Sequence, residues 1–233
     1  MHDLNKLYCA DCMEAMRDIP DGFFEWAFVD PPYGIGVNTM SYTNGDTRKR
    51  GAARANRRNY SGSFRDVVPD ERYFNELFRV SRNQVIWGAN YFTTLLPTMK
   101  TYVVWDKRGR DGMVNGFSDC EIAWTSTGSI RIFRFLWNGM LQQDMKNKEE
   151  RFHPTQKPTA LYEWLLKTFA NPGDKILDTH AGSASSIVAC VRRGFDWMGF
   201  KIDEGYHGMA QARIERAREE REAELAQMRI EGI

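Results

Sequence analysis

Ile176-Leu177-Asp178-Thr179-His180-Ala181-Gly182-Ser183-Ala184-Ser185 reads as a short apolar strand, a turn of small residues and the start of a helix. Gly182 lets backbone approach a ligand closely. The helix start behind it offers free N–H groups to a carboxylate or a phosphate. Neither Gly-x-Gly-x-x-Gly nor the Gly-Lys-Ser/Thr ending of a phosphate loop is present. The same pattern repeats outward from this turn. Apolar runs at 4–9, 26–29, 84–87, 101–105, 120–125, 130–135, 175–178 and 196–200 read as strands, and helical patterns fall near 70–80, 158–170, 184–193 and 204–228. Alternating strands and helices predict an α/β fold: an open, mostly parallel sheet with helices on both faces. Such sheets hold ligands beyond the carboxyl ends of their strands. The residues just after each strand are therefore the candidates for a site.

The chain has 233 residues, 42% of them hydrophobic and 27% charged, as in an ordinary soluble domain with its own core. Net charge is +1, so any nucleic-acid contact must be local rather than global. One local candidate stands out. Residues 38–66 lack apolar periodicity and carry Arg48, Lys49, Arg50, Arg54, Arg57, Arg58 and Arg65. A long basic loop inside a compact domain suits DNA phosphates, and a solvated tip is the other reading. No run approaches the ~20 apolar residues of a membrane span, so no membrane partner is expected. The N-terminus has neither a basic start nor an apolar run, unlike a signal peptide. Cys9 and Cys12 form a lone CxxC without a second pair, which reads as two small residues at a strand end rather than a zinc site. No metal is expected, and the cysteine usage fits a reducing cytoplasm.

Asp30-Pro31-Pro32-Tyr33 directly follows the strand at 26–29. Methylating an aromatic amine demands such a group. The amine lone pair is delocalised into the ring, so the site must accept both amine protons and favour a pyramidal nitrogen. Asp30 supplies a carboxylate, the Pro31 carbonyl supplies a second acceptor, Pro32 helps stiffen the turn, and Tyr33 can stack on a base. A bare turn after a strand would look the same.

DPPY, then His153-Pro154-Thr155-Gln156-Lys157-Pro158, then the turn at 178–185 together resemble the circularly permuted beta class of DNA amino-methyltransferases. The resemblance covers nearly the whole chain. Trp87-Gly88-Ala89-Asn90-Tyr91 and Trp105-Asp106-Lys107 look like its phage-type members. The resemblance implies one methyltransferase domain with a seven-stranded Rossmann-like sheet, S-adenosylmethionine as donor and double-stranded DNA as partner, with a homodimer left open. An aspartate-first DPPY is typical of the adenine-N6 enzymes, and cytosine-N4 relatives usually carry Ser there. It implies cofactor contacts from Asp11 and Cys12 after the first strand, from His153, Thr155 and Lys157 at the methionine end, and from Asp178, His180, Ala181, Gly182 and Ser183 in the turn. Residues 38–66 and about 127–152 would be the target-recognition material.

Two residues depart from the family pattern. Ala184 stands where glycine is usual, which should do modest harm. Lys201 stands at the end of the last strand, where the family places a Glu for the cofactor ribose. Lysine has donors only and cannot accept from hydroxyls. Three readings follow: Asp203 takes over the ribose, or the chain binds DNA with impaired cofactor use, or Lys201 meets an extra anionic group on a carboxylated S-adenosylmethionine.

Overall fold

The computed structural model describes residues 3–36, 66–98, 100–108, 118–138, 141–151, 153 and 155–232. In chain order the elements are β1 Lys6–Tyr8, α1 Cys12–Met16, β2 Phe24–Val29, α2 Glu71–Val80, β3 Ser81–Trp87, β4 Tyr102–Asp106, β5 Cys120–Thr125 and β6 Arg131–Arg134. After them come β7 Trp137–Asn138, β8 Leu141–Gln142, α3 Thr159–Phe169, β9 Lys175–Asp178, α4 Ser185–Arg193, β10 Asp196–Phe200 and α5 Glu204–Glu231.

Eight strands form one mixed, mostly parallel sheet in the order β1-β10-β9-β2-β3-β5-β4-β6, and β7 and β8 make a separate hairpin. β1, β10, β9, β2 and β3 run parallel to their neighbours, and β5 lies antiparallel between β3 and β4. The sheet therefore has one strand more than the seven the family resemblance implied. The extra one is β6, parallel to β4 at the edge.

Strand alternation divides the core into two layers. Along β2, Trp26 and Phe28 pack with α3, α4 and α5 on one face. Phe24, Ala27 and Val29 pack with α1 and α2 on the other. α2 is cut to fit its layer. Asp70 caps its N-terminus, and Tyr73, Phe74, Leu77 and Val80 recur on one buried stripe.

This wiring sets where a ligand can sit. β2 and β9 are hydrogen-bonded neighbours, with Trp26 opposite Ile176 and Ala27 opposite Leu177. The chain leaves β2 through α2 towards β3 and leaves β9 through α4 towards β10, on opposite faces of the sheet. That divergence opens a crevice beyond the carboxyl ends of the two strands. Asp30 and the turn that follows Asp178 stand on either side of it.

Candidate active site

A cavity of about 580 Å³ lies over the carboxyl ends of β1, β2, β9 and β10. Its wall brings together residues from six distant stretches of sequence, one of them residues 67–73 at the start of α2. Asp11 and Cys12 come from the end of β1, and Asp30 and Pro32 from the end of β2. His153, Thr155 and Lys157 come from the segment before α3. Asp178, His180, Ala181, Gly182 and Ser183 come from the turn after β9, and Lys201 and Asp203 from the end of β10. Pro31 and Tyr33 are not part of this wall, and Tyr33 instead joins it through Asp30. Trp87 and Trp105, which open the two phage-type stretches, are core residues packed edge to face at 6.4 Å between ring centroids. Arg48, Lys49, Arg50, Arg54, Arg57 and Arg58 lie outside the described residues.

Asp30 sits in a dense charge network. The Tyr33 hydroxyl donates to its Oδ1. The Lys157 ammonium lies 2.5 Å from its Oδ2, donates to the Tyr33 hydroxyl at 3.1 Å, and is 3.1 Å from Glu121 Oε2. Lys107 Nζ completes the row, 3.1 Å from Glu121 Oε1. Burial raises the Asp30 carboxyl above its ordinary range, and the Lys157 charge only partly opposes it. Burial alone would lower Lys157, but the two carboxylates beside it raise it, so it stays charged. Lys157 thus lines the cavity, as the resemblance implies, while its ammonium is committed to Asp30, Glu121 and Tyr33. Asp30, Tyr33 and Glu121 flank one buried cation whose side chain is 4% exposed, and Lys107 pairs with Glu121 beyond it.

Tyr33 is held by a close fit. Its ring stacks on Tyr91 at 4.9 Å between centroids. Gly88 has φ +76°, and a Cβ there would come within 2.1 Å of the Tyr33 ring. Just beyond Tyr33, the Asp66 carboxylate accepts from the backbone N–H of Gly34 and of Gly36, each at 2.7 Å. The two flanks of the basic stretch therefore meet beside Tyr33.

The turn after β9 is organised from beneath. Asp178 Oδ1 accepts from the His180 backbone N–H at 3.0 Å, and Oδ2 accepts from Ser186. Burial pushes the Asp178 carboxyl up to about 7. Thr179 links Tyr73 and His180 at 2.6 and 2.9 Å. Gly182 has φ +51°, and a Cβ there would be in ordinary contact with the His180 carbonyl at 3.7 Å and with His153 at 4.0 Å. Ala184 adopts φ +60°, the left-handed region, and is fully buried. For a non-glycine residue that conformation costs roughly 1–2 kcal/mol, and burying its methyl returns roughly 0.8 kcal/mol. The departure from glycine is thus modestly unfavourable. Arg213 of α5 binds the same turn, donating to the Ser183 carbonyl at 2.8 Å and to Ser185 Oγ at 2.9 Å.

The donor set suits S-adenosylmethionine. Carboxylates at Asp11 and Asp203 face the cavity where hydroxyl or ammonium donors need acceptors, and Gly182 and Ser183 line it just before the N-terminus of α4, an end that suits a carboxylate. Asp11 and Asp203 each use Oδ1 to cap the helix that follows, accepting from Met13 and Tyr206. Lys201 stands in the same wall and lies 4.9 Å from the Tyr206 ring centre. Among the described residues, no group of three or more His, Cys, Asp or Glu side chains is placed to hold a metal ion. No helix among them is long and apolar enough to cross a membrane.

Residues 100–212 match the family described as DNA methylase. YubD of Escherichia coli K12, a methylase by name, is 23% identical over 229 residues, covering 91% of this chain and 90% of that protein. Among solved structures, the M1.HpyAVI–SAM complex aligns with a TM-score of 0.53 at 16% identity, covering 90% of this chain and 98% of that one. PvuII DNA methyltransferase, described as cytosine-N4-specific, aligns with a TM-score of 0.58 at 12% identity, covering 91% and 87%. At such identities the solved structures speak for the fold alone.

Glu121, Ser186 and Arg213 were not singled out from sequence, and Lys107 and Tyr91 entered only as members of longer stretches, with no role of their own. Glu121 sits within β5 and Lys107 directly follows β4, and both look like ordinary charged positions. Only the pairing of those strands brings Lys107 to Glu121 and Glu121 to Lys157. A charge inside an otherwise apolar strand was the available signal.

Proposed function

We propose that this chain methylates the exocyclic N6 of adenine at specific sites in double-stranded DNA. The observation that carries the reading is the shared cavity. The carboxylate of Asp30, suited to accept from an amine, opens into the same space as the turn 178–183 and the carboxylates of Asp11 and Asp203. S-adenosylmethionine, the ligand of the M1.HpyAVI complex, supplies a methyl group on a sulfonium when bound.

The chain's own residues do the rest. An adenine must leave the duplex to reach Asp30, at a cost of a few kcal/mol. Asp30 and the Pro31 carbonyl accept the two N6 protons and favour a lone pair aimed at the methyl. Tyr33 offers its ring to the base. The amine becomes acidic once methylated, and Asp30 or water takes its proton. Catalysis rests on positioning and electrostatics. The Asp of DPPY favours adenine over the cytosine amine that PvuII methyltransferase is named for. Unmodified S-adenosylmethionine is the donor, with Asp203 in place of the family's Glu.

The test is incubation with duplex DNA and S-adenosylmethionine, then nucleoside mass spectrometry. N6-methyladenine supports the proposal. N4-methylcytosine replaces adenine with cytosine as the substrate. No methylated base, with DNA still bound, marks a relative with impaired cofactor use.

A further inference from the structure

We propose that Glu121 is a positioning residue of this site: it offers Lys157 a second carboxylate, so that the ammonium can shift off Asp30 when an amine takes its place there. The inference rests on the methyl-transfer reading and goes beyond it, because Glu121 lies in β5, outside every motif that carries the resemblance.

The geometry poses a problem that Glu121 solves. Asp30 must present oxygen lone pairs to an incoming amine. In the structure both of its oxygens have donors, Tyr33 on Oδ1 and Lys157 on Oδ2. A buried ammonium with a single carboxylate partner would be hard to displace, because an unpaired charge is left behind. Lys157 has another partner. Glu121 Oε2 lies 3.1 Å from the ammonium, and the Tyr33 hydroxyl is also 3.1 Å away. A small movement towards Glu121 keeps the ammonium paired and frees Asp30 Oδ2. Lys107, 3.1 Å from Glu121 Oε1, fixes the acceptor in place. The four charges alternate in sign, so the row is neutral and needs no outside counter-ion.

Other titratable groups face this row from each packed element: Tyr33, Tyr73 of α2, Tyr162 of α3 and Asp178 of β9. Burial raises all three tyrosines, so each stays neutral. Among the carboxylates, Glu121 adds a negative charge that holds Asp30 up, while Lys157 and Lys107 outweigh burial and hold Glu121 itself down.

Glu121→Gln keeps the shape and removes the charge. Two readouts test it in the full chain. The first needs no turnover: the titration of Asp30 by carboxyl ¹³C NMR, assigned with Asp30→Asn. We expect its midpoint to fall in Glu121→Gln. The second is the pH profile of methyl transfer. We expect kcat to fall at least tenfold, KM for S-adenosylmethionine to change less than threefold, and the acid limb to move to lower pH. Glu121→Asp, which restores the charge, should recover part of kcat. A purely structural role would lower thermal stability without moving midpoint or limb. An unmoved midpoint overturns the inference, whether or not DNA is methylated. A lowered midpoint with wild-type kcat also overturns it. A lowered midpoint in Glu121→Gln, together with a wild-type protein that methylates nothing, overturns the methyl-transfer reading on which the inference rests.

Discussion

The Lys157 ammonium lies 2.5 Å from Asp30 Oδ2, although 127 positions separate the two residues in the chain. This ion pair ties the DPPY turn to the segment that opens α3. The two partners are not equivalent. Removing Asp30 leaves Lys157 with Glu121, and removing Lys157 leaves Asp30 buried without its cation. Asp30→Ala should abolish methyl transfer and leave DNA affinity in a gel-shift titration within about threefold. Lys157→Met should also abolish transfer and in addition cost about 3 kcal/mol in urea unfolding, the usual penalty for breaking a buried pair from one side. Methylation at the wild-type rate by Asp30→Ala would remove Asp30 from the mechanism.

Gly88 makes a second prediction. Any side chain there has to adopt φ +76° and meet the Tyr33 ring at 2.1 Å. Tyr33 would be driven off its stack with Tyr91 and off Asp30. Gly88→Ala should lower kcat by roughly a hundredfold, the scale of a 1 Å misplacement, with the affinity for S-adenosylmethionine by calorimetry unchanged. Unaltered kcat would show that Tyr33's position is immaterial to transfer.

How much of this was legible in the sequence depends on the range of the interaction. β5, β9 and β10 can be read to the residue, because bounded apolar runs carry their own signal. α1 was missed: five residues are too short for a helical period, and its start lies in the Asp11 cap. The β7–β8 hairpin was missed for the same reason, with two residues in each strand. The cavity-lining motif residues were legible from the family resemblance, since each lies directly after a strand or before a helix. Glu121 and Lys107 were not, because their meaning depends on β4 pairing with β5 and on Lys157 reaching them across the sheet.

The ribose contact can be tested from both sides. Asp203 and Lys201 share the cavity wall, but only Asp203 has acceptors. If Asp203 holds the ribose, Asp203→Asn should weaken S-adenosylmethionine by about tenfold or more in calorimetry, the scale of one charge-assisted hydrogen bond. Lys201→Glu should tighten binding by a similar factor, because it adds an acceptor and removes a positive charge near a sulfonium. Tightening by Lys201→Glu with no loss in Asp203→Asn would leave Asp203 as a helix cap alone.

The buried histidines bear on stability rather than chemistry. Burial, aided by the Lys201 charge, lowers His180 to about 4 and His153 to about 3. Both are therefore neutral in the folded protein and charge on unfolding in mild acid. Their contribution is fully present above the unfolded value of about 6.5 and is lost as pH falls towards the folded values. Asp178, raised to about 7, acts in the opposite sense: its contribution is lost as pH rises through 7. The two effects partly cancel in the wild type, so a difference isolates the histidine. Between pH 7.5 and 5.5, the unfolding free energy of the wild type should fall by about 1 kcal/mol more than that of His180→Asn. Parallel curves for the two proteins would mean that His180 titrates normally in the fold.

The basic stretch gives the prediction furthest from the cavity. Asp66 gathers its two flanks beside Tyr33, where a base would stack. If the arginines between these flanks contact DNA, phosphates are their expected partners. Phosphate contacts release counter-ions, so affinity falls with salt at a slope of about 0.9 per charge neutralised. Replacing Arg54, Arg57 and Arg58 by alanine should flatten the slope of log affinity against log salt by about 3 if all three meet phosphates. The loss should be similar for cognate and unrelated duplexes, because phosphates position and bases specify. A slope that does not change would assign DNA binding to the segment at 127–152 instead. A loss confined to the cognate duplex would turn these arginines from phosphate contacts into base readers.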